Sequence, residues 1–128
     1  MGKHMKQSEP HEELVVLTDV VLITAIVQRG AAEPVVQAAR RAGAQGATIF
    51  YARGTGVRQK HLGVLGVTVS AEKEVIYIVA ASEQADRIFA KMYVAANMDT
   101  PGMGMIYMTP LEKMATYVPP EVVERFAK

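Results

Sequence analysis

Two β–α–β runs of apolar sequence constrain this chain more strongly than any other feature. In the first run, the β-branched residues 20–27 predict a buried strand that Gly30 ends. Apolar residues then recur at helical spacing from Pro34 to Gly43, which predicts an amphipathic helix. Residues 47–53 are again apolar and aromatic, so we predict a second strand there.

The second run follows a glycine-rich stretch and has the same order of elements. Residues 74–80 predict a strand, and Glu72-Lys73 before it reads as a turn, with a short strand expected at 67–69. Ser82 is expected to cap the next helix, and residues 105–109 predict the last strand.

Two such units predict an α+β, ferredoxin-like double βαβ sandwich with both helices on one face of an antiparallel sheet. The other face of this sheet is apolar enough that we expect another subunit to cover it. The expected protein is therefore an oligomer.

Composition narrows the class further. The chain has 128 residues, 14 Lys+Arg against 13 Asp+Glu, and no cysteine. This length fits one domain, and a net charge near zero gives no electrostatic footprint for nucleic acid. Without cysteine, disulfides, thiol catalysis and Cys-ligated zinc are excluded. The longest apolar run, residues 14–27, is shorter than the roughly 20 residues of a membrane span and follows an acidic stretch, so we expect a cytoplasmic protein without membrane insertion.

The domain boundaries follow from these patterns. Residues 1–12 are interpreted as a disordered tail or the remnant of an expression tag, and they are set aside from the fold. Residues 13–118 form the predicted domain. Residues 119–128 are expected to form a short C-terminal helix, because Pro119-Pro120-Glu121 suits a first helical turn.

Neither catalysis nor metal binding has a strong signal. Glu72 and Glu74 are the close carboxylate pair of the predicted domain, and we expect both to be solvated at a turn. No Ser-His-Asp set can be assembled with confidence, so the sequence does not argue for an enzyme. The thioethers of Met103, Met105 and Met108 suit Cu(I), but methionine more often fills gaps in cores and interfaces.

Two glycine-rich segments are more informative, residues 53–60 and residues 100–104. Glycines let backbone N–H groups approach a phosphate or carboxylate closely, and a nearby Arg or Lys supplies charge. These segments accompany the two βαβ units, which favours a ligand-binding role for both.

On these residues the chain resembles the P-II signal-transduction family over roughly residues 20–118. Gly54-Thr55-Gly56 with Arg58-Gln59-Lys60 is similar to the start of the family's T-loop. Lys73 lies where the family places a lysine near its ligand, and Gly102-Met103-Gly104 is similar to the glycine turn of the nucleotide-binding B-loop.

The resemblance implies a homotrimer that binds an adenine nucleotide (ADP, AMP or ATP) or a small anion in clefts between subunits. The loop 54–66 would then control a membrane transporter or a metabolic enzyme, as in nitrogen regulation, with no enzymatic activity of its own. The implied ligand-binding residues are Gly54, Thr55, Gly56, Arg58, Gln59, Lys73, Gly102, Met103, Gly104 and Lys113.

Departures from the family pattern refine this expectation. Val57 is an insertion, the T-loop is short, and residues 54–66 hold no tyrosine or serine, so covalent modification of the loop is not expected. The family's two phosphate-binding arginines fall at Thr116 and Val118. Because each lost cation removes charge-assisted hydrogen bonds of about 1.5–3 kcal/mol, we expect a ligand with fewer phosphates than ATP or a small anion.

An assembly role without any ligand stays open at this point, and so do two other classes. One is a CutA-like or amino-acid-binding trimeric ferredoxin-like module with a metal at the methionines. The other is an RNA-binding sheet of the RRM type with Tyr51 and Tyr77 as stacking platforms, although no basic and aromatic RNP-like motif is present.

Overall fold

The computed structural model describes the backbone of residues 2–9, 12–54 and 71–122, and the side chains of residues 14–54 and 72–122. The elements, in chain order, are β1 (Gly2–Glu9), β2 (Glu12–Thr18), β3 (Val20–Gln28), α1 (Ala32–Arg41), β4 (Thr48–Gly54), β5 (Ala71–Ala81), α2 (Ser82–Ala95), β6 (Gly104–Leu111) and β7 (Met114–Ala115).

The main sheet has four antiparallel strands in the order β4-β5-β3-β6. Strand β3 is central: it pairs with β5 from Val20↔Ala81 to Gln28↔Lys73 and with β6 from Val20↔Leu111 to Val27↔Gly104. Helix α1 connects β3 to β4, and helix α2 connects β5 to β6. This is the ferredoxin-like topology that the sequence predicted, so the prediction of the fold class is confirmed.

The core lies between the helices and one face of this sheet. Alternate residues of the central strands point into it, and Ile23, Ile76 and Ile78 are almost completely buried. From α2, Ile88 and Met92 pack against the same layer. The two-residue alternation of the strands and the helical spacing of the apolar residues thus meet in one hydrophobic core.

The other face of the sheet is apolar, and no helix of the described residues packs against it. On this face, Thr24 of β3 lies between Tyr77 of β5 and Tyr107 of β6. Phe50 of β4 contacts Tyr77 edge to face, with 5.1 Å between ring centroids. Met105 is 55% exposed and Tyr107 45%. We call this surface the open face.

A smaller sheet, in the order β1-β2-β7, lies outside the sequence prediction. Residues 1–12 were expected to be a tail outside the fold, whereas residues 2–9 form β1 and pair antiparallel with β2. The apolar run of residues 14–27, in which a strand was predicted at 20–27, holds two strands, β2 and β3, and Asp19 with φ +58° separates them. Aspartate is one of the few non-glycine residues that visit this left-handed conformation routinely.

Two local predictions were wrong. Glu72 and Lys73 do not form a turn but belong to β5, which begins at Ala71. Ser82 does not cap α2: the N-cap is Ala81, and the Ser82 N–H donates to the carbonyl oxygen of Asp19 at 2.9 Å. The expected strand at 67–69 lies outside the described residues, as does the C-terminal helix beyond its helical residues 120–122.

Helices long and apolar enough to cross a membrane are absent from the described part of the chain.

Candidate functional site

Three connections meet at one end of the main sheet. The residues 28–30 leave β3 there, the segment 102–104 enters β6, and Gly54 pairs with Ala71 at the base of the loop between β4 and β5. Residue 28 is paired with Lys73, and Val27 is paired with Gly104. We call this region the loop end.

Side chains of two consecutive residues tie these connections together. The Gln28 side-chain amide donates a hydrogen bond to the carbonyl oxygen of Gly102. The guanidinium of the next residue, Arg29, pairs with the Glu72 carboxylate at the start of β5. Both members of this ion pair are more than half exposed, so the pair contributes little to the free energy of unfolding. Its effect is to position β5 relative to the end of β3.

Glu74 makes a third, buried connection. One oxygen of its carboxylate accepts hydrogen bonds from the backbone N–H of Gly30 at 2.8 Å and of Ala32 at 3.0 Å. The N-cap of α1, Ala31, makes no side-chain cap hydrogen bond. Glu74 therefore satisfies the first N–H group of α1, that of Ala32, and one N–H group of the turn before it, at the helix end where the dipole favours a negative charge.

The predicted solvated carboxylate pair is accordingly wrong for one member. Glu72 is exposed and paired with Arg29, but Glu74 is 8% exposed and holds the start of a helix. Glu72 and Glu74 are two residues apart in β5, and alternate residues of a strand point to the same face, so both lie on the face toward α1. The residue types alone do not show that Glu74 is buried while Glu72 is exposed.

The structure brings several predicted site residues to the loop end. Gly54, Lys73 and the segment 102–104 lie there, and a Cβ built on Gly54 would be 3.7 Å from Cγ of Lys73. Lys113 follows the opposite end of β6, roughly 24 Å away along the strand at 3.4 Å per residue. Within one chain it does not join the others.

The remaining predicted site residues lie outside the described part of the chain: Thr55, Gly56, Arg58 and Gln59. Sequence reasoning missed Gln28, Arg29 and Glu74. For Gln28 and Arg29 the sequence held a usable signal, because these two polar residues come directly after the apolar residues of β3.

Gly104 has a structural reason to be glycine. A Cβ at this position would lie 2.4 Å from the carbonyl oxygen of Ile26, and its φ is +148°. No other residue type fits without moving β3 and β6 apart. Gly102 also has a positive φ, +82°, but a Cβ there would meet no atom within 4 Å.

A large cleft of about 970 Å³ lies away from the loop end. Its walls are the open-face residues Leu22, Tyr77 and Val79, the connection 43–48 between α1 and β4, and the segment that contains Met114 and Thr116. Among the described residues that line the cleft, Glu83 is the charged one, so this part of the chain gives the cleft no cation.

The structure also bears on the alternative classes. Met108 packs against the core, whereas Met105 lies on the open face, so their thioethers point to opposite sides of β6. In the described ranges, no group of three or more His, Asp or Glu side chains could hold a metal ion. Tyr51 is paired with Glu74 and therefore lies on the face opposite to Tyr77, so the two tyrosines do not form one stacking platform.

The structure is a ferredoxin-like domain in which two βαβ units bring three connections to one end of the main sheet. The model of the family described as nitrogen regulatory protein P-II matches residues 20–119. The chain belongs to the P-II family. The resemblance found in the glycine-rich segments is thereby confirmed.

A solved structure supports the fold. The chain is similar to the crystal structure of Arabidopsis thaliana PII bound to citrate, with 22% sequence identity and a TM-score of 0.56. The match covers 74% of this chain and 79% of that one. A search of curated protein sequences finds no match.

Family membership fixes the general function. P-II proteins are trimeric regulatory signal transducers that act on partner proteins, and this chain is a P-II-like regulatory protein. The match favours this class over a CutA-like or RNA-binding module.

The tight approach at Gly104 generates the first prediction. Gly104→Ala should lower the free energy of unfolding clearly more than Gly102→Ala, for which the left-handed backbone alone costs about 1–2 kcal/mol. The added loss comes from the clash with Ile26 across the β3–β6 pair. Urea unfolding at one fixed protein concentration measures both, and equal losses would contradict the clash.

The second prediction concerns Glu74. Glu74→Gln should lower the free energy of unfolding by about 1–3 kcal/mol, because a buried charged acceptor of two N–H groups is replaced. The matched control Glu72→Gln, at an exposed ion pair, should cost less than about 1 kcal/mol. If the two variants unfold at the same urea concentration, Glu74 does not hold the helix start as described.

Proposed function

We propose that this protein is a homotrimeric, cytoplasmic P-II-like sensor. It binds an adenine nucleotide or a small anion in clefts between subunits. It reports the bound state through the loop between β4 and β5 to a membrane transporter or a metabolic enzyme.

The observation that carries this proposal is the linkage at the loop end. Gln28 bonds the segment before β6, and Arg29 bonds the strand that leads out of the β4–β5 loop. A ligand that binds backbone N–H groups of residues 102–104 would therefore bind next to residues 28–30. The same residues 28–30 position β5 at the base of the β4–β5 loop. Such a ligand shifts the loop only if it binds one loop state better than the other.

The open face supports the trimer. Aromatic and apolar side chains are contiguous across its strands, and a face of this kind is normally covered in a small antiparallel sheet protein. The large cleft opens on this face beside Tyr77, so a second subunit that covers the face would also close the cleft. The far position of Lys113 is consistent with a site to which neighbouring subunits contribute.

The charge of the cleft bears on the ligand. Thr116, where the family resemblance places a phosphate-binding arginine, lines the cleft and is neutral. A triphosphate would therefore lack charge-assisted hydrogen bonds on this wall. This supports a nucleotide with fewer phosphates, ADP or AMP, over ATP.

A small carboxylate is the other candidate class. The similar Arabidopsis protein is described as bound to citrate. In this chain, Lys73 at the loop end supplies a positive charge beside Gly54, and a Cβ built on Gly102 would meet no described atom within 4 Å, so an anion has room to approach the backbone there. Citrate and bicarbonate therefore belong among the ligands to test.

The third prediction tests the ligand. In calorimetric titrations with ATP, ADP, AMP, cyclic AMP, bicarbonate and citrate, one compound should bind at one site per protomer, and ATP should bind more weakly than ADP or AMP. Lys73→Ala should weaken an anionic ligand by about 10–100-fold, the equivalent of one charge-assisted bond. Arg40→Ala, an exposed cation on α1, serves as the control and should change the affinity less than about twofold. Silence across all six compounds would contradict the proposed sensor.

The fourth prediction tests the trimer. Light scattering should give three times the chain mass of 13.9 kDa. Met105→Lys should dissociate the trimer, because the open face would have to bury an unpaired charge. Tyr93→Lys, on an exposed position of α2, is the control and should leave the mass unchanged. A wild-type protein that runs as a stable monomer would contradict the proposal.

A further inference from the structure

A second surface with its own chemistry lies between the two helices. Residues of α1 and α2 form a groove of about 510 Å³, lined by Ala38, Arg41, Ala42, Arg87, Lys91, Val94 and Ala95. We call it the helix groove. It lies on the helical layer, on the opposite side of the sheet from the open face, so a subunit that covers the open face leaves the groove accessible.

Small residues make the floor of the helix groove. Ala38 of α1 and Ala42, the C-cap residue of this helix, are one helical turn apart and are each less than 10% exposed. Because alanine carries a single methyl group, the two helices leave a depression above them that a larger apolar side chain can fill. At the edge of this depression, Val94 is 69% exposed and adds apolar surface to the groove.

Positive charge surrounds the floor. Arg41 lies at the end of α1, and Arg87 and Lys91 lie one turn apart on α2. All three side chains are exposed. Within the described ranges none of the three has an ion pair, and no acidic residue lines the groove.

The acidic residues of the two helices lie elsewhere. Glu33 is in the first turn of α1 and accepts a hydrogen bond from Gln37, while Glu83 and Asp86 are on the first half of α2. The groove therefore has one sign of charge around an apolar centre. Its partner must combine negative charges with an apolar group.

We propose that the helix groove binds an acidic peptide segment of a partner protein. In this complex an apolar side chain of the segment fills the depression over Ala38 and Ala42, and flanking carboxylates pair with Arg41, Arg87 and Lys91. The row from Arg87 to Ala95 is roughly 12 Å long at 1.5 Å per residue, which is the reach of a short peptide rather than of a single small anion.

This docking surface is separate from the loop end. It uses no residue of the proposed ligand site, so it would hold a partner in both states of the β4–β5 loop. In a trimer, three copies would be present, and a partner with several acidic segments would gain affinity through effective concentration. The loop would then act on a partner that is already bound.

The test is a fluorescence anisotropy titration of the full chain. The probe is a labelled synthetic peptide of about 12 residues with Asp and Glu around two leucines, long enough to cover the groove even where it binds as a helix. Saturable binding that weakens with added salt is expected. A second peptide, with both leucines replaced by serine, should bind about tenfold more weakly because the depression stays empty.

Matched variants locate the binding. Lys91→Glu should weaken the acidic peptide at least about tenfold, while Arg40→Glu, which makes the same change of charge on an exposed residue outside the groove, should change it less than about twofold. Both variants should keep the wild-type mass and circular dichroism. Since neither residue belongs to the proposed ligand site, the nucleotide titration stays an independent measurement.

Any one of the following results would overturn the proposal. They are the absence of saturable peptide binding at low salt, equal losses in Lys91→Glu and Arg40→Glu, and equal affinity for the leucine and serine peptides. Binding to phosphatidylserine vesicles without binding to the acidic peptide would assign the charge to a membrane surface instead and would also overturn it.

Discussion

The double pairing of β3 is the constraint on which the rest of this structure depends. The strand is bonded along almost its whole length to β5 on one side and to β6 on the other. Its side chains alternate between the core on one face of the sheet and the open face on the other. Since β5 and β6 are the strands that flank the second helix, this single strand holds the two βαβ units in one sheet.

The pairing also determines what can happen where β3 ends. Residues 28–30, at the end of β3, are bonded to the segment before β6 and to β5: residue 28 to Gly102, residue 29 to Glu72 and residue 30 to Glu74. Gly104 must be a glycine because β6 approaches the backbone of Ile26 at this point. The strand pairing that holds the sheet together therefore also links the two glycine-rich segments.

Much of the fold could be predicted from periodicity. The β-branched strand β3 and the helical spacing after Pro34 each describe a local pattern that burial in the core reinforces. The small sheet could not be predicted in this way, because its division from β3 depends on one aspartate in a left-handed conformation. Within an apolar run, the residue types do not show where one strand ends and the next begins.

The candidate site was less predictable for a related reason. The glycine-rich segments could be recognised in the sequence. Whether a given position requires glycine depends on which atoms a Cβ would meet there. At Gly104 these atoms belong to a backbone 78 residues earlier in the chain. Glu74 is the same kind of case: one N–H group of α1 and one of the turn before it give this buried carboxylate its role. Long-range contacts of this sort have no local sequence pattern.

Hydrogen exchange of residues 55–70, with and without the ligand that binds in the calorimetric titration, tests the central claim most directly. The account predicts that the ligand changes exchange both in residues 97–104 and in residues 55–70, and that Arg29→Ala keeps the first change but reduces the second. A change confined to residues 97–104 in the wild-type protein would contradict it, because the two glycine-rich segments would then not be coupled.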